Sequence, residues 1–485
     1  MNAGEKPNLI VVSCREPYVH KRTSRGVVCE RPAGGLVTAL EPAMQRLGGL
    51  WIAWGDGSAD RDFVDAEDKL WVPPEAPAYQ LRRIWLTQEE REMFYLGFAN
   101  QYLWPLCHMF IDALRFKRVF WQGYKAVNEK FATAVLEEAG GAPAAVWIQD
   151  YHFACAPHVI KSARPDLPVS LFWHIPWPPW DIFRFCSQKT ELLECLLACD
   201  LIGFHLDRYC ENFVACAREC LGANVGDDGF EVEYRGQCTA VKSFPIEIDS
   251  QLFQKLAASQ KTENSMQRLE RKYSLAGRKV GLGVDRLDYT KGIPEKLRAL
   301  DVFFTRYPQF IEKFVFIQVL APSRSKIQAY RVLTERVLQK VEELNIRFGT
   351  NEWKPVVCIN SSLDRENLVP LYRMADLMLI TPVQDGMNLV AKEYVASQID
   401  EKGVLLLSEF AGAHEEMKHS ITINPYDSEG VADAIRRALE MPEAERKKRI
   451  RASRDFVSKH DANTWLDSVM GELASLADLS KHAFR

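Results

Sequence analysis

The residues of this chain best suited to chemistry are cations and backbone amides placed just past apolar runs. In GVDRLDYTKGIPEK (283–296), Arg286 and Lys291 stand at or beyond the end of an expected strand, in a loop stiffened by Gly292 and Pro294. A guanidinium can fork two oxygens and an ammonium acts as a compact point charge, so the two suit a diphosphate. Pairing with the neighbouring Asp285 or Asp288 is the competing use. In APSRSKIQAY (321–330), Arg324 again follows a strand. In TPVQDGMNLVAKEYVASQ (381–398), Asp385 and Gly386 form a turn and a helix is read from Met387 onward. One reading makes Asp385 the helix N-cap, with Gly386 easing the turn. The other presents the amides of Gly386, Met387, Asn388 and Leu389 to an anionic or hydroxyl-rich ligand. Glu393, one turn inside, could accept ribose hydroxyls or be an ordinary exposed helix residue.

The first half carries weaker signals. RPAGGLVTAL (31–40) sets Gly34 and Gly35 before a helix, after an arginine-rich loop that starts at Arg15. Adjacent glycines permit close backbone approach, but this is not GxGxxG. WIQDYHF and FWHIPWPPW place Asp150, His152 and His174 at strand ends. A histidine on an apolar strand is more often a satisfied core residue than a functional one. His152, Cys155 and His158 have metal-like spacing without a fourth ligand, which argues against structural zinc. Trp173, Trp177 and Trp180 could stack on a sugar face or fill a core. The chain has no G-x-S-x-G, H-E-x-x-H or G-x-x-x-x-G-K-[ST] motif, and no carboxylate pair stands out for hydrolysis.

Elements that could position these residues recur in both halves. Strands are expected at 9–13, 144–150, 169–175 and 200–205, then at 279–285, 313–320, 355–360, 376–381, 403–408 and 420–425. Continuous apolar strands separated by helical patterns predict parallel sheets covered on both faces. The fold class expected is α/β, with two doubly wound domains that take ligands at the carboxyl ends of their strands. The hinge is expected after SFPIEIDS (243–250), giving domains of 1–247 and 248–460. The final helix, 461–485, is expected to pack back on the first domain.

Bulk properties set the outer limits. Hydrophobic content of 47% and charged content of 26% are those of a soluble globular protein, and 485 residues suffice for two or three cores. A net charge of -4 offers no electrostatic case for nucleic acid. The start, MNAGEKPNLIVVS, does not read as a signal peptide, and no run of 18 apolar residues suggests a membrane span. The 12 cysteines are scattered without a CxxC pair, so reduced thiols in the cytoplasm are expected.

Taken in order, GVDRLDYTKGIPEK, APSRSKIQAY, DGMNLVAKEYVASQ and GVLLLSEFAGA resemble the trehalose-6-phosphate synthase family, retaining glycosyltransferases of family 20. RPAGGLVTAL, FANQYLWPLCH, VWIQDYHF, HIPWPP, DLIGFH and FPIEID in the first half are similar to its motifs, so the resemblance spans roughly Leu9 to Trp465. It implies a GT-B fold, two Rossmann-like domains facing across a cleft. It further implies transfer of glucose from a nucleotide sugar, UDP-glucose favoured, to glucose 6-phosphate. By matching motif, Arg286 and Lys291 would grip the donor diphosphate and Glu393 the ribose. Asp385 and the amides of Gly386 to Leu389 would hold the glucosyl hydroxyls and phosphate. His174 would contact the transferred sugar, with Gly34 and Gly35 approaching the donor. Arg15, Tyr95, Trp104 and Arg324 match an acceptor-phosphate pocket, and Asp150 an acceptor-hydroxyl contact. Arg286, Lys291, Asp150 and His174 are the residues expected to carry the reaction, with no cofactor and no metal. Small-molecule substrates are the expected partners, without nucleic acid or membrane, and a homo-oligomer is left open. The alternatives are a glucosylglycerol-phosphate synthase using glycerol 3-phosphate and a catalytically silent sugar-phosphate-binding relative. Several positions depart from the family pattern. Cys14 replaces the usual Asn, Gln149 a frequent His, Gln384 a frequent Arg and Glu247 a Gly, while Trp177 and Pro179 replace Phe and a small polar residue.

Overall fold

The computed structural model describes residues 8–32 and 35–483. The chain divides into two compact units, Met1–Pro245 together with Thr464–Arg485, and Ile246–Asn463.

In chain order the first unit contributes β1 (Asn8–Arg15), β2 (Val19–Thr23), β3 (Gly26–Glu30), β4 (Leu50–Trp54), β5 (Lys69–Val72) and β6 (Tyr79–Ile84). There follow β7 (Ala144–Gln149), β8 (Val169–Phe172), β9 (Leu201–Phe204), β10 (Asn224–Val225), β11 (Glu231–Tyr234) and β12 (Gln237–Ser243). Ten of these form one sheet in the order β10-β11-β12-β9-β8-β7-β1-β4-β6-β5, while β2 and β3 pair as a separate hairpin. The centre is parallel and the edges are antiparallel. β4 and β7 are buried along their whole length, as expected of LWIAW and AAVWIQ inside a sheet covered on both faces. β4 and β6 were not among the expected strands. β6, YQLRRI, hides its arginines from a hydropathy reading because Arg83 is fully buried, its guanidinium satisfied by Glu16, Asp60 and the carbonyl of Tyr18.

The second unit contributes β13 (Lys279–Arg286), β14 (Phe314–Ala321), β15 (Val356–Ile359), β16 (Leu377–Ile380), β17 (Val404–Ser408) and β18 (Ile421–Ile423). All pairs are parallel, in the order β15-β14-β13-β16-β17-β18. These are the six strands expected from the sequence. Counted within the unit the order is 3-2-1-4-5-6, the doubly wound arrangement of dinucleotide-binding folds. The strand order reverses between β13 and β16 here, and between β1 and β7 in the first unit. Successive crossovers leave such a point in opposite directions, so the carboxyl ends of its two strands stay uncovered.

The last helix, Ala462–Ala483, is tied to the first unit by Trp465. Its buried indole lies 5.9 Å from the Trp147 ring and 5.7 Å from Phe172, and its N–H donates to the Phe244 carbonyl at 3.2 Å. Trp465→Ala should therefore destabilise the protein by about 3–5 kcal/mol, the usual cost of emptying a buried aromatic site. Denaturant unfolding checks it, and a loss below about 1 kcal/mol would show that the helix is not anchored there.

Candidate active site

In the second unit the sequence-predicted residues gather at the β13/β16 reversal. Arg286 closes β13 with an exposed side chain. The loop then turns through Tyr289–Lys291, and Gly292 takes a left-handed φ of 59°, where a Cβ would lie 2.0 Å from the Thr381 carbonyl oxygen. That close approach brings Lys291 to the turn after β16. Its Nζ donates to Asp385 Oδ2 at 2.5 Å, and Asn388 Nδ2 donates to the same oxygen at 2.9 Å. The competing partners for the two cations are therefore resolved for Lys291: its carboxylate is Asp385, and Asp288 instead takes Arg324.

The structure corrects the cap reading. The helix runs Leu389–Ser397, and its N-cap is Asn388, in left-handed conformation, whose side chain accepts from the Ala391 N–H. Asp385 cannot cap because its carboxylate is committed to Lys291 and Asn388. Its own backbone is pinned by the Phe410 carbonyl and by the Gly412 N–H. Gly412 has no room for a Cβ, which would lie 2.1 Å from the Gly386 oxygen. The backbone N–H groups of Gly386, Met387 and Asn388 make no hydrogen bond among the described residues. Three amides and a helix N-terminus beside Lys291 form a place for anionic or hydroxyl oxygens. Glu393 is half-buried, accepts from Tyr372 Oη at 2.8 Å and is raised above the usual carboxylate range by burial.

Arg324 lies past β14 at φ 44°, its Nη1 donating to Asp288 Oδ2 at 3.0 Å and Tyr330 Oη at 2.7 Å. It belongs to the second unit, whereas Arg15, Tyr95 and Trp104, also assigned to an acceptor phosphate, belong to the first.

Those others gather in the first unit at the β1/β7 reversal. Arg15 ends β1, and its Nη2 donates to Tyr95 Oη at 2.8 Å. Its other amino group lies 3.7 Å from Asp56, which also meets Arg91 at 3.1 Å. Asp56 was missed in the sequence, although it lies just past the carboxyl end of β4 and Arg15 lies at the carboxyl end of β1. Tyr95 and Arg91 ride on Arg91–Leu103, which is wound as a π-helix, a rare form that is frequent at functional sites. The side-chain amides of Asn100 and Gln101 donate to carbonyls five residues back. The Tyr95 ring stacks on His152, His152 packs at a tilt against Tyr151, and Tyr151 approaches Trp104, which is buried.

Asp150 follows β7 at φ 73°, a backbone state that costs a non-glycine residue about 1–3 kcal/mol. It is held there by hydrogen bonds to its carboxylate from the Tyr151 N–H at 2.9 Å and the His174 N–H at 3.3 Å. His174 follows β8, and burial together with His205 and His152 lowers it well below the ordinary histidine range, so its imidazole is neutral. Gly35 opens the helix Gly35–Leu47, while Gly34 lies outside the described residues. Trp173 and Trp177 are core residues, Trp177 packing on Phe183, Phe204 and Phe213. Among the described residues no group of three or more His, Cys, Asp or Glu side chains could hold a metal ion.

Beneath each site lies a buried ionic cluster that the sequence did not announce. Glu16, beside Arg15, accepts from the Asp56 N–H and from Arg83 Nε. Lys392, beside Glu393, is fully buried and meets Glu247 at 2.8 Å, Glu416 at 2.7 Å and the Ile246 carbonyl at 3.0 Å. The unusual Glu247 thus supplies one of two carboxylates around a single ammonium.

The model of Glycosyltransferase family 20 matches residues 7–475, and the chain belongs to that family. It is a glycosyltransferase with a GT-B fold. An alpha,alpha-trehalose-phosphate synthase [UDP-forming] of Schizosaccharomyces pombe is 35% identical, with 99% of this chain and 93% of that protein covered. A trehalose-6-phosphate synthase of Mycolicibacterium vanbaalenii is 38% identical over 96% of both chains. Among solved structures, the E. coli trehalose-6-phosphate protein bound with UDP-2-fluoro glucose matches with a TM-score of 0.86 at 31% identity, covering 96% of this chain and 99% of that one. A Burkholderia xenovorans synthase in complex with glucose-6-phosphate matches with a TM-score of 0.87 at 29% identity, covering 96% and 99%. Among the described residues no helix is long and apolar enough to cross a membrane.

The Lys392 cluster makes stability depend on pH. Burial pushes Glu247 up to about 8, Lys392 pulling it down and Glu416 pushing it further up. Between the ordinary value of 4.5 and about 8, the folded protein holds a proton that the unfolded chain has released. This contribution to stability is complete below the unfolded value and is lost as pH rises through about 8. Glu16, also raised to about 8, acts with the same sign. Glu247→Gln should flatten the decline in unfolding free energy seen by chemical denaturation between pH 4.5 and about 8, the window between the two values, without abolishing it. An unchanged slope would mean that Glu247 is ionised in the folded state.

Proposed function

We propose that this chain is a cytoplasmic retaining glucosyltransferase that moves glucose from UDP-glucose to glucose 6-phosphate, giving trehalose 6-phosphate. The observation that carries this reading is the Lys291–Asp385–Asn388 cluster, with its three open amides and Arg286, at the strand-order reversal of the second unit. The names and ligands of the relatives and solved structures support the choice of donor and acceptor.

In this reading the second unit takes the donor. Arg286 and Lys291 hold the diphosphate, Glu393 the ribose hydroxyls, and Asp385 with the amides of Gly386 to Leu389 the glucosyl hydroxyls and phosphate. His174 contacts the transferred sugar, and Gly34 and Gly35 approach the donor. Arg15, Tyr95, Trp104 and Arg324 bind the acceptor phosphate, and Asp150 aligns the acceptor hydroxyl. The anomeric C1–O bond to the diphosphate breaks, and a C1–O bond to the acceptor oxygen forms on the same face. The acceptor proton passes to the departing phosphate oxygen, so no enzyme nucleophile is needed. Arg286 and Lys291 stabilise the charge that builds on the diphosphate, the part a resident metal would otherwise play. Alignment of the two substrates supplies the rest of the acceleration. The paired state of Lys291 fits this role, because Asp385 pre-aims the ammonium and then shares it with the incoming phosphate.

Nucleotide release is the direct assay, with UDP-, GDP- and ADP-glucose each offered with glucose 6-phosphate or glycerol 3-phosphate. Acceptor-dependent UDP release with glucose 6-phosphate, yielding a phosphorylated disaccharide by mass, is the expected outcome. Release only with glycerol 3-phosphate would replace the acceptor in this proposal, and no release with any pair would overturn it. Arg286→Ala should lower turnover by about 3 kcal/mol or more in activation free energy, on the order of 10²-fold. Near-normal turnover of that variant would remove Arg286 from the diphosphate.

A further inference from the structure

His174 does not stand alone. Gln149 is the last residue of β7, pairs in register with Phe172 of β8, and is fully buried. Its carboxamide Oε1 lies 2.9 Å from His174 Nε2. The other end of the carboxamide, Nε2, has no hydrogen-bond partner among the described residues. A buried donor without a partner is destabilising, and an apolar side chain of the same shape would avoid that penalty. The glutamine is therefore poorly explained as a stabilising residue, and its oxygen is the feature that needs a purpose.

A carboxamide oxygen only accepts, so the nitrogen facing it must carry the proton. The imidazole is neutral, since burial and the nearby His205 and His152 disfavour its charged form. A neutral imidazole has one N–H, and with that proton on Nε2 the other nitrogen, Nδ1, bears a lone pair. Nδ1 makes no hydrogen bond among the described residues, and the side chain keeps part of its surface open. Its backbone is fixed by the Asp150 carboxylate, and its ring lies 4.5 Å from Phe172 and 5.3 Å from His205, centroid to centroid. The titratable groups facing it are thus Asp150, His152 and His205.

We propose that Gln149 is a positioning residue that locks His174 in the Nε2–H tautomer, so that Nδ1 is presented as an acceptor to a hydroxyl of the transferred sugar. The lock itself is a property of the free protein, while the use of Nδ1 rests on the placing of His174 at the sugar under the proposed function. The opposite arrangement, with the carboxamide turned end for end, would place a proton on Nδ1 and present a donor instead.

Two-bond 1H–15N correlation of the full chain labelled with [15N]histidine distinguishes these states, the His174 signals being assigned with a His174→Gln variant. The wild type should show a neutral Nε2–H imidazole from about pH 6 to 8.5, a range at whose acid end an ordinary histidine, with a pKa of about 6.5, is mostly charged. Gln149→Met should release the lock, giving mixed tautomers, with little change in melting temperature and a roughly tenfold loss of kcat/KM for the nucleotide sugar. Gln149→Glu retains an accepting oxygen but favours the imidazolium, which has no lone pair. Its activity should recover toward that of the wild type at alkaline pH and show an acid limb that the wild type lacks, a recovery that Gln149→Met does not share. An Nδ1–H tautomer in the wild type overturns the proposal and leaves the proposed function standing. A lock that Gln149→Met releases without any kinetic change overturns the role given to Nδ1, and with it the placing of His174 on the sugar.

Discussion

Parallel sheets leave their ligand sites where strand order reverses, and both units of this chain are organised by that constraint. At β1/β7 and at β13/β16 the flanking crossovers depart in opposite directions, and the strand ends stay open. Every described residue with a candidate role lies on, or close after, a strand that meets such a reversal, on the helix that follows it, or on a neighbouring segment packed against it. The apolar strands fix where the reversal falls, because each is buried on both faces and tolerates no slip in register. Chemistry is thereby confined to a few residues past each carboxyl end.

Charged residues next to those openings are held from below. Arg83 ties Glu16 to the base of the Arg15–Asp56–Arg91 group. Lys392 ties the helix that carries Glu393 to Ile246 and Glu247, the first residues of the second unit. Lys296, also fully buried, pairs with Asp285, which Gln318 supports from β14, directly beneath Arg286. Such buried pairs contribute little net stability, since desolvation offsets most of the attraction. Their value here is geometric: removing one partner leaves an uncompensated charge, so each cluster has essentially one arrangement, and the residue beside it inherits that fixed position.

Departures from regular backbone geometry also occur at the same places. Asp150 and Asn388, both non-glycine residues at positive φ, sit at the turns after β7 and β16. In each case hydrogen bonds donated by nearby backbone N–H groups to the side-chain oxygen offset part of the cost. The π-wound stretch Arg91–Leu103 is a third departure from regular geometry, and it carries Tyr95 and Arg91 to the Arg15 side of the first unit.

The amino-acid sequence alone determined most of the strands that are apolar throughout (β4 is the exception), the two doubly wound sheets, and the strand-end motifs that carry Arg15, Asp150, His174, Arg286, Lys291 and Asp385. Those follow from local pattern: burial on both faces writes continuous hydrophobic runs, and the loop after such a run is where polar residues can face a ligand. Tertiary structure decided what pattern cannot encode. β6 is a strand although it contains two arginines, because Arg83 finds two carboxylates from other elements. Asn388 rather than Asp385 caps its helix, because Lys291, 94 positions away, takes the aspartate carboxylate. The burial of Lys392 and the pairing of Gln149 with His174 likewise depend on residues distant in the chain. A side chain's charge or hydrogen-bond partner is set by whatever the fold brings within about 3 Å, and that distance has no counterpart along the sequence.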